Sequence, residues 1–193
     1  MKEKFEDFYY RIKYRGTEVF DFIFKDLPRI IKNFWIFRKA IAEYRWYGGH
    51  NSVFPLLETA IADMAVNIKE KGSEIDGSRL KKVAKMERLV KLLNDINEDK
   101  FIEYAESELG ELVCYDMEFE PAPNHPGCYQ LVEKETPEEK EHNSKVFKRS
   151  REIEKETWNE IWEILKGQDY TKFDKDTDWD KQFDGTGVIG WWD

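Results

Sequence analysis

HNSVFPLLETAIADMAVNI, residues 50–68, decides the fold class. Val53, Leu56, Leu57, Ala60, Ile61, Met64, Ala65 and Ile68 recur in steps of three and one, the spacing that lines one face of an α-helix. Gly72 ends the pattern. Asp76 or Ser78 then opens a second helix, with Leu80, Val83, Met86, Val90, Leu93 and Ile96 expected inward. Residues 50–98 therefore read as two antiparallel helices joined by a short turn.

Upstream, Gly48-Gly49 closes an earlier helix whose stripe is Ile30, Phe34, Phe37, Ile41 and Tyr44. Asp26 and Pro28 look like its cap and first turn, because proline lacks an amide that a first turn leaves unpaired anyway. Residues 17–25 are aromatic and β-branched, with helix preferred over strand, and residues 3–13 suit a short helix through Phe5, Phe8, Tyr9 and Ile12. The apolar region 19–41 is interrupted by Asp21, Lys25, Asp26, Arg29, Lys32 and Arg38, so no transmembrane helix is expected.

Downstream, a helix over about residues 100–109 stops at Gly110. Residues 112–115 and 128–132 are strand-like runs separated by Pro121, Pro123, Pro126 and Gly127, which predicts a small β-hairpin or irregular insertion within residues 111–135. Thr136-Pro137-Glu138-Glu139 then has the pattern of a capping box, opening a long helix to Lys166 with Val146, Ile153, Ile161 and Leu165 inward and Gly167 as its stop. The fold class is mainly α: a helical bundle over residues 1–167, followed by an acidic, Trp-rich C-terminal tail, residues 168–193. The tail is expected to be an appendage whose removal leaves the body folded.

A chain of 193 residues, 37% charged and 40% hydrophobic, can bury a core and is neither membrane-like nor disordered in composition. Its net charge of −9 disfavours bulk attraction to nucleic acid or anionic lipid, so no membrane partner is expected. Cys114 and Cys128 could bridge across the Pro-rich loop, but two cysteines in a Lys/Glu-rich chain without a secretory signal fit a reducing cytoplasm better.

Several constellations carry possible chemistry. Asp174, Asp176 and Asp178 alternate as in a calcium loop, yet Trp179 stands where the turn needs glycine and Gly185 where the bidentate acid belongs. Glu139 and His142 are half of a carboxylate–histidine metal motif whose second half is missing, and Cys128 near His125 lacks an orienting third group. No cofactor, metal ligand or catalytic residue is therefore assigned, and an enzyme is the less favoured class.

Three binding surfaces remain. The tail's Trp179, Phe183, Trp191 and Trp192, with Asp178 and Asp180, suit a protein interface because a few desolvated aromatics supply most binding energy. Arg79, Lys82, Lys85 and Arg88 load one helix with cations that could meet nucleic acid, or be covered by the acidic tail folding back on them. Arg45, His50 and Asn51 gather at a helix junction that could hold a small anion, although a corner packed by Trp46 is the simpler reading.

The junction Trp46-Tyr47-Gly48-Gly49-His50-Asn51-Ser52, the helix pair after it, and the ending Phe183-Asp184-Gly185-Thr186-Gly187 through Gly190-Trp191-Trp192-Asp193 resemble small helical proteins of tailed bacteriophages. The resemblance covers residues 44–98 and 136–193 and implies a phage origin and action in the bacterial host cytoplasm; it brings no site residues with it. The function expected first is protein–protein interaction with a host or phage factor, or with another copy of the chain. Nucleic-acid binding by residues 79–91 and ligand binding at residues 45–51 are the alternatives.

Overall fold

In the computed structural model the chain is mainly helical, with one small antiparallel sheet. The structure describes residues 17–125, 127–132 and 134–191, with backbone only at residues 50 and 51. The helix expected over residues 3–13, and Trp192, lie outside the described residues.

The first helix, α1 (Leu27–Glu43), does not begin at Asp26. It continues from residues 17–21 through a wide turn, Phe22–Asp26, in which Leu27 N–H donates to the Phe22 carbonyl, and Asp26 makes no side-chain cap. Pro28 gives the reason: without an amide, and with a ring that crowds the carbonyl four residues back, it breaks the regular ladder, and a π turn absorbs the mismatch. The expected stripe is also reoriented. Ile30, Phe34, Ile41 and Tyr44 are half or more exposed, whereas half-buried Ile36 and Phe37 and buried Ala40 lie on the side that meets the body.

The core sits where α2 (His50–Lys71) and α3 (Asp76–Asn97) run against each other, with the long α5 (Pro137–Lys166) across them. Ile61, Ala65 and Ile68 of α2 meet Val83, Met86, Leu89, Leu92, Leu93 and Ile96 of α3 and Ile161 and Ile164 of α5. Leu80, expected inward, is instead 52% exposed near the open N-terminal end of α3. Asp99, in the left-handed region at φ 49°, turns the chain into α4 (Phe101–Leu109), and Phe101 and Ala105 are buried. Asp is one of the few residues that takes this conformation at small cost.

The insertion contains the hairpin, but its first strand lies later than the sequence suggests. Strand β1 (Phe119–Pro121) pairs with β2 (Tyr129–Leu131), while Leu112–Val113 is held from the side. Val113 N–H donates to Asn143 Oδ1 at 3.0 Å and Asn143 Nδ2 donates to Val113 O at 2.8 Å, so one buried side-chain amide on α5 takes the place of a partner strand. Helix α5 opens with the predicted capping box: Glu139 N–H donates to Thr136 Oγ1, and Thr136 N–H donates to the Glu139 carboxylate.

Two ion pairs strap α5 to its neighbours. Arg149 clamps Glu108 of α4, and Arg88 of α3 reaches both carboxylate oxygens of Glu160 at 2.7 and 2.6 Å. The hydrogen bonds from Arg88 hold the Glu160 carboxyl below its ordinary value of 4.5. Because the folded value is the lower one, the contribution to stability is complete above 4.5 and is lost as pH falls through the folded value. The urea midpoint of the native protein should thus exceed that of Glu160→Gln near pH 7, with the gap closing as pH falls below 4.5.

The greatest departure from expectation is at the C-terminus. The segment after Gly167 is not an appendage: Phe183 and Trp191 are 2% and 4% exposed, and Trp191 belongs to the central cluster. A short helix α6 (Trp179–Gln182) lies against the start of α3, where Lys81 Nζ donates to the carbonyls of Asp180 and Phe183 and Ser78 Oγ donates to Asp180 Oδ1. Gly187 N–H donates to Ile164 O at 2.8 Å, and Trp191 Nε1 donates to Gly185 O at 2.8 Å. The close approach depends on Gly185, whose φ is +90° and where a Cβ would stand 2.3 Å from the Lys81 carbonyl oxygen. Gly185→Ala should cost about 2 kcal/mol by chemical denaturation, from left-handed strain and displaced backbone together.

Candidate functional site

The docked segment creates a cleft of about 950 Å³ between the N-terminal end of α3 and the C-terminal chain. Tyr170, Trp179 and Phe183 supply aromatic wall, and Ile75 and Ile189, which are 74% and 87% exposed, stand at its mouth. The aromatics support one another: Trp179 stacks on Phe183 with centroids 5.5 Å apart and also meets Tyr170 at 5.4 Å and Phe173 at 5.1 Å. Such pairs add specific geometry to area burial. Side-chain amides hold the loops behind them. Gln182 grips the backbone of Asp174 and Thr177, and Gln168 bridges Gln182 O and Asp184 N–H.

Polar chemistry in the cleft is concentrated in one pair. Lys82, 5% exposed, donates to Glu74 Oε1 and lies 6.0 Å from the Phe183 ring centroid. Glu74 Oε2 is shielded from solvent and has no hydrogen-bond partner. An oxygen that solvent cannot reach is not presented to the open cleft, so its desolvation is a cost within the fold that the pair with Lys82 offsets. The rim is acidic through Asp178 and Asp180, although Lys181 pairs with Asp178 at 3.3 Å.

Of the expected interface residues, Trp179, Phe183, Asp178 and Asp180 come together at this cleft, whereas Trp191 is sealed in the core. Trp179 remains 50% exposed; Phe183 presents its ring to the cleft floor, not to open solvent. The basic-helix residues are dispersed into intramolecular roles. Arg79 binds Asp76 and the Gly72 carbonyl, Lys82 binds Glu74, Arg88 binds Glu160, and half-buried Lys85 adds its charge to those holding Glu160 ionised. The acidic tail folds back on this helix, the charge-matched arrangement that the sequence allows.

At the α1–α2 junction, Arg45 donates to the Tyr47 hydroxyl at 3.1 Å. Trp46 does not pack the corner, being 86% exposed against the edge of Tyr47. Ser52 does so instead: its hydroxyl accepts from Arg45 N–H and donates to Arg45 O. The side chains of His50 and Asn51 lie outside the described residues. Cys114 and Cys128 are both free and exposed. His142 Nε2 lies 3.0 Å from Glu111 O, tying α5 to the insertion. Asp174 is spent on a local turn, accepting from Asp176 N–H and Thr177 Oγ1.

Glu74, Ile75, Tyr170 and Ile189 were not legible as site residues. Each is a single residue in a loop or at a helix end, and their convergence depends on the docked segment. The only hint was charge matching between the acidic tail and the cations of α3. No protein-family model matches the chain, and neither a curated protein nor a solved structure does.

Proposed function

We propose that the protein is an interaction protein that receives an aromatic side chain of a protein partner in the cleft between α3 and the C-terminal segment. The observation that carries this reading is the open cleft walled by Tyr170, Trp179 and Phe183, with the Lys82–Glu74 pair in its lining. Lys82 already neutralises Glu74, so a second cation there would meet like charge, while an uncharged N–H or O–H on an apolar body would not. Trp and Tyr combine those properties, and both are enriched among the residues that dominate interface energetics. The phage resemblance supports a partner in the bacterial host cytoplasm, either a host or defence factor or another phage protein. The nucleic-acid reading loses support because Arg79, Lys82 and Arg88 are engaged within the chain.

Ile75→Glu and Ile189→Glu test the reading without touching the core, since both side chains are largely exposed at the cleft mouth. Amide chemical-shift titration with N-acetyl-tryptophanamide and N-acetyl-tyrosinamide should perturb residues around Glu74, Trp179 and Ile189 in the native protein. Each substitution should weaken that response at least ~tenfold, with the melting temperature unchanged. Shifts scattered away from the cleft, or equal in the variants, would remove it as the recognition site.

A further inference from the structure

Helix α1 turns a long apolar face to solvent. Leu27, Ile30, Ile31, Phe34, Trp35 and Ile41 are between 38% and 59% exposed, and Phe20 and Phe24 extend the surface upstream. At about 100° per residue, the six α1 side chains fall within an arc of about 140°. Ile36, Phe37 and Ala40 fall elsewhere on the wheel and meet the body, so among the described residues the arc is left uncovered. Contiguous apolar surface of this extent marks a binding face.

Charge selects what covers it. Residues 17–45, which carry the whole face, contain Lys25, Arg29, Lys32, Arg38, Lys39 and Arg45 against Glu18, Asp21, Asp26 and Glu43, a net +2 within a chain of −9, and between Leu27 and Arg45 Glu43 is the single acid. Lys32 and Lys39 border the apolar arc, and Arg38 projects from within it, its guanidinium 5.1 Å from the Trp35 ring centroid. Trp35, Tyr44, Trp46 and Tyr47 add exposed amphipathic rings, the residue types that settle at a lipid headgroup boundary. Two copies meeting on this face would bring two cationic strips together; a negatively charged sheet of headgroups would neutralise one. No helix among the described residues is long and apolar enough to cross a membrane.

We infer that α1 lies in the plane of an anionic lipid surface, with the Leu27–Ile41 arc at the boundary of the acyl chains and Lys32, Arg38, Lys39 and Arg45 on the phosphates. The net charge of −9, which led to the expectation of no membrane partner, belongs to the whole chain and does not bear on a cationic strip confined to one helix.

The full chain should co-sediment with unilamellar vesicles of phosphatidylcholine containing phosphatidylglycerol, and at least ~tenfold less with phosphatidylcholine alone or at high salt. Phe34→Glu with Trp35→Glu should abolish sedimentation, and Lys32→Glu with Lys39→Glu should remove the preference for phosphatidylglycerol. All four side chains are exposed, so circular dichroism of the variants should be native. Ile75→Glu, at the cleft, should bind vesicles like the native chain, which separates this inference from the cleft reading. Failure to sediment with phosphatidylglycerol vesicles would overturn it. So would equal binding to both lipids, or a dimer in sedimentation equilibrium that Phe34→Glu splits, since the occupant would then be a second copy.

Discussion

Removal of residues 168–193 unfolds the helical body. The deletion takes away Trp191, which closes the cluster formed by α2, α3 and α5, and Phe183, which is 2% exposed against α3. Truncating one buried large aromatic costs about 3–5 kcal/mol through lost burial and the void left behind. Two such losses approach or exceed the 5–15 kcal/mol that holds a typical domain together. The deletion also leaves Lys81 without its two carbonyl acceptors and the Ile164 carbonyl without the Gly187 amide. The shortened chain should show lost near-ultraviolet dichroism and no cooperative melt. Trp191→Ala is the milder counterpart, expected to lower stability by about 3–5 kcal/mol in urea or guanidinium titrations. A truncated protein that melts as sharply, and at the same temperature, as the full chain would show that the segment is an appendage after all.

The same segment shows where sequence reading succeeds and where it stops. The bundle was legible because Leu56 to Ile68 and Val83 to Ile96 repeat at helical spacing, and here the apolar stripe is the side that packs, although Val53 at its start is 53% exposed. The capping box at Thr136 and the stop at Gly167 were equally local, each needing only a few adjacent residues. The docked C-terminal chain has no such period. Phe183 and Trp191 reach the core through loops braced by Gln168, Gln182 and Gly185, contacts across long sequence separations that composition does not encode. Seen one residue at a time, alternating Asp and Trp resembles a wet tail. On α1 the failure was of another kind: the period was read correctly, but a periodic apolar face need not be covered by the same chain. The cleft combines both limits, since Glu74, Tyr170 and Ile189 come from three separate segments.

Replacing Lys82 with alanine should cost about 3 kcal/mol, far more than loss of an exposed lysine would. Its ammonium lies inside the protein, donating to Glu74 Oε1 beneath the Phe183 ring. Without it, Glu74 would keep a negative charge in a site where Oε2 already lacks a hydrogen-bond partner, and breaking one half of such a pair leaves the other half uncompensated. The side chain of Glu74 is 28% exposed and keeps some solvation, which places the effect toward the lower end of what fully buried pairs show. The paired change Lys82→Met with Glu74→Leu removes both charges while keeping apolar volume, so it should restore most of the stability. A double-mutant cycle in urea isolates the coupling: the single substitutions should each destabilise, and the double variant by much less than their sum. The cycle also separates two roles that sequence could not distinguish for this cation. A lysine serving a nucleic acid would be exposed and nearly neutral to folding, so a loss below about 1 kcal/mol on Lys82→Ala would return it to the surface and undo the electrostatic basis of the cleft.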